Sequence, residues 1–284
     1  MLGTPLRYVA GLPRPPRCLV MGVLNVTPDS FSDGGENLEP TAARDHGLAL
    51  AAQGADLVDV GGESTRPGAV RPSEEEELRR VLPVVAALTG AGVAVSVDTM
   101  RASVAEAAVG VGAVLVNDVS GGRADPDMHV TVARLGVPYV LMHWRAHAED
   151  MQQHTGYDDV VADVAAELRG QLEAALSAGI DPDRVALDPG IGFAKTGEQN
   201  WEVLAGLDRL TDLGLPVLVA TSRKRFLGTL LAEGTLLRPP KERDAATTAT
   251  TALAAAAGAW CVRVHDVRSS ADAVRVAARW AGGR

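Results

Sequence analysis

The chain has 284 residues, 46% of them hydrophobic, and a formal net charge of -9. So acidic a balance argues against nucleic acid or an anionic membrane as a partner, because both demand a basic face. No apolar stretch approaches the ~20 residues of a membrane span, and the length suits one α/β barrel of about 250 residues with a full core.

The first 17 residues, rich in proline and arginine, lack the apolar stretch of a secretory signal. They read as a mobile tail, with an extra strand around Leu6–Val9 as the alternative. From residue 18 onward, eight apolar runs each stop on polar or glycine-rich residues. The first run ends at Asn25 and is followed by a long polar loop, 27–40. A helix is expected over Thr41–Gly54, capped by Thr41. The second run, ADLVDVGGES, ends at Glu63 and opens a second long loop, 63–72. Ser73–Ala87 reads as a helix with four glutamates in its first turn, where the dipole favours them. Val93–Asp98 then leads to a helix at Arg101–Val111. Ala113–Asp118 leads to one at Met128–Leu135, and Pro138–His143 to a long one at Asp158–Ala178. Arg184–Asp188 opens into PGIGFAKT and a helix at Asn200–Leu213. Pro216–Thr221 is followed by a basic turn, SRKRFLG, and a helix at Arg243–Gly258. Cys261–His265 is the last run and Ser269–Ala281 the last helix.

Near-continuously apolar strands are buried on both faces, as in a parallel sheet with helices outside. Eight such units predict a single (β/α)8 TIM barrel over residues 18–284, with its chemistry at the C-terminal ends of the strands. Cys18 and Cys261 fall in the first and last strands, neighbours in a closed barrel. They read as small buried thiols of a reduced, cytoplasmic protein in preference to a disulfide.

The strand ends carry the candidate chemistry. Arg223, Lys224, Arg225, Arg263 and His265 sit at or just after strands seven and eight, where barrels of this kind often hold phosphate. Arg263 and His265 are two apart, so they share a face; an ion pair of Arg263 with Asp266 or Asp244 is the competing reading. Asp98, Asn117 and Asp188 end strands three, four and six and could match the donors and acceptors of a flat nitrogen heterocycle. For Asp98, capping of the next helix is the rival. Asn25 offers one carbonyl oxygen suited to Mg2+, or a local turn role. His143 reads as core packing. Phe31 and Phe193 sit in strand-end loops, where a ring-stacking role competes with simple anchoring. Only three of the 27 basic residues are lysines, so Lys224 at a strand end suggests a need for a compact ammonium.

Seven segments in order, NVTPDSFSDGG, GGESTRPGA, SVDTMR, NDVSGG, LDPGIGFAKT, SRKRFLG and RVHDV, resemble the dihydropteroate synthases of bacterial folate synthesis. MHWRA and NDVSGGRADP give the resemblance an actinobacterial cast. It implies a transferase that joins a dihydropterin-CH2 diphosphate to 4-aminobenzoate and releases diphosphate, in a homodimer that uses Mg2+. By matching motif, Asp98, Asn117, Asp188 and Lys224 would hold the pterin, and Asn25 would bind Mg2+. Thr65, Arg66, Arg263 and His265 would hold the diphosphate. Phe31, Pro67, Phe193, Lys224 and Arg225 would border the 4-aminobenzoate pocket, where sulfonamides compete. The implied catalytic set is Asp98, Lys224, Arg263 and His265, with both long loops closing over the site. One departure is Ala220, where the pattern expects glycine. A pterin-dependent methyltransferase and a non-catalytic pterin-binding paralogue are the alternatives.

Overall fold

The structure, a computed structural model, describes residues 7–27, 40–63, 71–147 and 149–282. Among them eight strands form one parallel sheet: β1 (Leu19–Asn25), β2 (Leu57–Gly61), β3 (Val95–Asp98), β4 (Leu115–Asp118), β5 (Tyr139–Met142), β6 (Val185–Asp188), β7 (Leu218–Val219) and β8 (Cys261–Val264). Their order is β6-β5-β4-β3-β2-β1-β8-β7. The ring closes between β6 and β7, where the Leu187 amide donates to the Pro216 carbonyl at 2.8 Å. All eight apolar runs are strands, and the expected barrel stands.

Period-two alternation divides each strand between two cores. Leu19, Met21, Leu57, Leu115, Val140, Ala186, Leu218 and Cys261 fill the lumen. Val20, Leu24, Val58, Val60, Val97, Val116, Leu141, Leu187 and Val262 face outward against the helices. Cys18 belongs to the outer core and Cys261 to the lumen, and both thiols are free. They lie on opposite sides of the wall, which excludes a bond between them.

The outer layer comprises α1 (Pro40–Ala52), α2 (Glu74–Gly90), α3 (Ala102–Gly110), α4 (Met128–Leu135), α5 (Val160–Ser177), α6 (Gly197–Ala205), α7 (Leu207–Thr211), α8 (Arg225–Leu230), α9 (Asp244–Ala256) and α10 (Val267–Gly282). α2 shows why such segments fold. Ser73 caps it by accepting from the Glu76 amide, and Val81, Val84, Val85 and Leu88 place one apolar stripe on the wall. Burying each such side chain is worth about 1.5–3 kcal/mol.

Three expectations change. α1 starts at Pro40, so Thr41 lies inside the helix and does not cap it. The single helix expected from Asn200 starts at Gly197 and divides at Gly206 into α6 and α7. Its start is set by a capping box: the Thr196 hydroxyl accepts from the Gln199 amide, and the Gln199 side chain accepts from the Thr196 amide. The third change is at the N-terminus. Residues 7–17 are not a tail, because Val9 (1% exposed) and Leu12 (6%) join the lumen core beneath Leu19, Met21 and Trp260. The Ala10 amide donates to Asp183 O at 2.8 Å. The segment plugs the end of the barrel opposite the polar rim. No helix among the described residues is long and apolar enough to cross a membrane.

Candidate active site

Continuing the alternation from the lumen residues Leu57, Leu115, Ala186 and Cys261 reaches Asp59, Asn117, Asp188 and Arg263, all on the lumen face one step nearer the rim. β3 adds Asp98. The Arg263 guanidinium joins three of these strands: Nε donates to Asp59 Oδ2 at 2.6 Å and NH2 to Asp98 Oδ2 at 2.7 Å. Asn117 Nδ2 also donates to Asp59 Oδ2, at 2.9 Å. Asp59 Oδ1 and the Ser96 hydroxyl beside it in register are buried without a partner among the described residues. Burial pushes the Asp98 carboxyl up to about 8; Arg263 pulls against this, while Asp59 and Glu63 reinforce it. Burial opposes the charge on Arg263 too, but Asp59 and Asp98 prevail and raise its pKa further.

Across the lumen, Asp188 Oδ1 accepts from the Gly190 amide at 2.7 Å. Burial raises its pKa, and Lys224 opposes. Lys224 Nζ donates to the Ile191 carbonyl and lies 4.8 Å from the centre of the Phe193 ring. Burial lowers the Lys224 ammonium to about 8, with Asp188 opposing. Phe193 packs beside Trp144 on the cluster Met100, Val119 and Met142. Gly192 is required at the crossing: its φ is +83°, and a Cβ there would stand 2.8 Å from Lys224 Cδ. Two residues beyond Arg263, His265 Nδ1 is 2.9 Å from the Ser222 hydroxyl, which also accepts from the His265 amide at 3.1 Å. Arg225 is exposed in the first turn of α8.

Several sequence alternatives are settled. Asp98 does not cap α3, since the Ala102 amide donates to Asp125 and Asp98 turns inward to Arg263. Arg263 pairs with Asp59 and Asp98, whereas Asp244 is held by both ends of the Arg223 fork at 2.7 Å. His143 faces outward, between Glu167 and Lys195. Phe31, Thr65, Arg66 and Pro67 lie outside the described residues. The flanks of the second loop are described, and Arg101 holds both: it donates to Glu63 at 3.3 Å and to the Pro72 carbonyl at 2.6 Å, and pairs with the fully buried Glu77.

Two residues at the site had not been singled out. Asp59 lies inside an apolar run, not at its end; the period-two count from Leu57 was the signal that could have found it. Met142 precedes the polar end of its run and faces the lumen while His143 does not. Asn25 ends β1 opposite Gly61 and is half-buried. Among the described residues no group of three His, Cys, Asp or Glu side chains could hold a metal.

Residues 21–265 match the model of a family described as pterin binding enzyme. A dihydropteroate synthase of Mycobacterium leprae is 55% identical over 263 residues, spanning 92% of this chain and 93% of that protein. The chain belongs to the dihydropteroate synthase family. The structure of the Xanthomonas albilineans dihydropteroate synthase with 4-aminobenzoic acid superposes with a TM-score of 0.84 at 48% identity, over 92% of each chain. That of the Yersinia pestis dihydropteroate synthase with a sulfonamide drug gives 0.90 at 39% identity, over 98% of this chain and 99% of the other.

Proposed function

We propose that the chain condenses (7,8-dihydropterin-6-yl)methyl diphosphate with 4-aminobenzoate, giving 7,8-dihydropteroate and diphosphate. The observation that carries this reading is Arg263, one guanidinium holding Asp59 and Asp98 inside the lumen beside Asn117, with Asp188 and Lys224 facing them. That set offers a planar heterocycle carboxylate acceptors for its N–H groups and amide and ammonium donors for its oxygen. As the C–O bond to diphosphate breaks, negative charge grows on the leaving group. Arg263 and His265 hold that charge, together with Thr65 and Arg66 in our reading. Each preorganised contact of this kind is worth about 3 kcal/mol of barrier. The electron-rich dihydropterin supports a cationic CH2 group, and Asp98 compensates the positive ring. The arylamine of 4-aminobenzoate, bordered by Phe31, Pro67, Phe193 and Arg225, then attacks and needs no strong base.

Mg2+ fits this site through Asn25. A single amide oxygen at the end of β1 suits a hard cation that keeps its waters and takes substrate phosphate oxygens. Bound there, Mg2+ would neutralise charge on the diphosphate.

The same reading includes a homodimer through α9 and α10, in the cytoplasm. Leu253, Val276 and Trp280 are 70%, 64% and 72% exposed on those helices. Trp280→Glu is expected to convert a dimer to a monomer in sedimentation velocity; a variant that sediments like the parent rejects this surface.

The deciding experiment measures diphosphate release with both substrates, then without 4-aminobenzoate or without Mg2+. Diphosphate release with both substrates present that yields no 7,8-dihydropteroate rejects the condensation. Asp98→Asn should slow the chemical step by roughly 10²-fold or more, as loss of a charge that stabilises the transition state does, with diphosphate affinity little changed. Unaltered turnover removes Asp98 from the mechanism.

A further inference from the structure

Lys195 is one of the three lysines in the chain, and only 3% of it is exposed. It does not face the lumen. Its ammonium lies behind the turn that follows β6, and it donates to the Gly190 carbonyl at 3.1 Å and the Phe193 carbonyl at 3.2 Å. A third contact runs to His143 Nδ1 at 3.1 Å. The acceptor role of Nδ1 places the ring proton on Nε2, which donates to Glu167 at 3.0 Å. Glu167 is in turn held by Arg145. Burial lowers the pKa of Lys195 to about 7, with Asp188 opposing; while protonated it has three donors, and each has a target here.

The backbone between those two carbonyls makes one hydrogen bond of its own, from the Phe193 amide to the Gly190 carbonyl at 3.0 Å, and side chains supply the rest. Gly190, Gly192 and Ala194 have φ of +66°, +83° and +48°, so the turn makes no regular ladder, and Ala194 sits where a side chain is disfavoured. Three side chains hold it from outside. Lys195 takes the carbonyls of 190 and 193, Tyr157 donates to the Ala194 carbonyl at 3.0 Å, and Asn200 accepts from the Gly192 amide at 2.5 Å. On the lumen side Lys224 takes the carbonyl of Ile191, and the Phe193 ring stands over it.

We propose that Lys195 is a positioning residue for the 4-aminobenzoate subsite: by binding the carbonyls of Gly190 and Phe193 it fixes where the Phe193 ring stands relative to Lys224. A lysine suits the task, because its compact, rotatable donors reach two carbonyls and a ring nitrogen from one atom, whereas an arginine's donors are fixed in a planar fork. Lys195 touches no substrate and acts through Phe193. The inference rests on the assignment of Phe193 to 4-aminobenzoate made above.

The test is a double-mutant cycle of Lys195→Met and Phe193→Ala, with KM measured for each substrate. Lys195→Met is expected to raise KM for 4-aminobenzoate about tenfold, a misplacement effect, and to change KM for the pterin diphosphate less than twofold. In the Phe193→Ala background the same substitution should add less than about twofold. Equal losses for both substrates, full additivity in the double variant, or no change in KM for 4-aminobenzoate each overturn the proposal. Should Lys195→Met fail to fold by circular dichroism, Lys195→Gln is read by the same criteria. Its shorter amide reaches at most one carbonyl, so about a threefold rise is expected. If Phe193→Ala alone leaves KM for 4-aminobenzoate unchanged, it is the subsite assignment that fails, whatever Lys195 does.

Discussion

Arg263 serves two buried carboxylates with one positive charge, and that ratio governs how the rim titrates. Asp98 holds its proton up to about 8, chiefly through burial, and Lys224 loses its own at about 8 for the same reason. The chemistry proposed needs Asp98 ionised and Lys224 protonated, so kcat/KM for the pterin diphosphate should rise with pH through Asp98 and fall through Lys224. The expected profile is a narrow bell centred near pH 8, whose limbs belong to the coupled rim. Asp98→Asn should remove the rising limb and leave the falling one; an unchanged rising limb assigns it elsewhere. Most of this rim was legible from strand ends alone. Asp98, Asn117 and Asp188 stand where apolar runs stop, Arg263 lies inside the last run on the face it shares with His265, and the fold brings them to one lumen. Asp59 escaped because it interrupts a run without ending it. Lys195 was visible only as a rare lysine, since its role depends on a turn whose φ values no residue pattern states.

Close approach, more than propensity, shapes the helices. Gly47 lies in the middle of α1, where alanine would favour the helix by roughly 0.5–1 kcal/mol. Yet a Cβ at 47 would stand 2.7 Å from Leu88 Cδ1 and 2.8 Å from Leu88 Cδ2 on α2, and 3.1 Å from Leu24 Cδ2 on β1. Leu88 is fully buried, so it has little room to retreat, and overpacking of this kind costs about 1–3 kcal/mol. Packing wins, and Gly47→Ala should lower the urea midpoint with the m-value unchanged. A raised midpoint would mean that α1 is free to shift outward. The same contrast explains the helix starts. Ser73 with its glutamates announced α2, and the Thr196-to-Gln199 spacing would have announced α6 had it been weighed above the glycine that follows. Nothing comparable marks α1, whose first residue is a proline.

At the scale of the molecule, the barrel has one polar end and one end that must be kept dry. The rim is wet because charged side chains point into the lumen there. At the other end the same lumen carries Leu19, Leu57, Leu115, Leu218 and Cys261, which would face water if nothing covered them. Val9 and Leu12 provide that cover, which a reading based on proline and arginine content missed, because the apolar residues of this segment follow neither a helix nor a strand period. The register of Ala10 against Asp183 fixes the segment beneath β6. Removing residues 1–17 is therefore expected to destabilise the barrel. Leu12→Ala alone should cost about 2 kcal/mol, at the lower edge of the range for buried leucine because Leu12 sits at the margin of the core. Both effects are read by urea unfolding. Since the rim lies at the opposite end, kcat and both KM values of the folded Leu12→Ala variant should stay within twofold of the parent. A Leu12→Ala protein as stable as the parent would return residues 7–17 to the status of a tail.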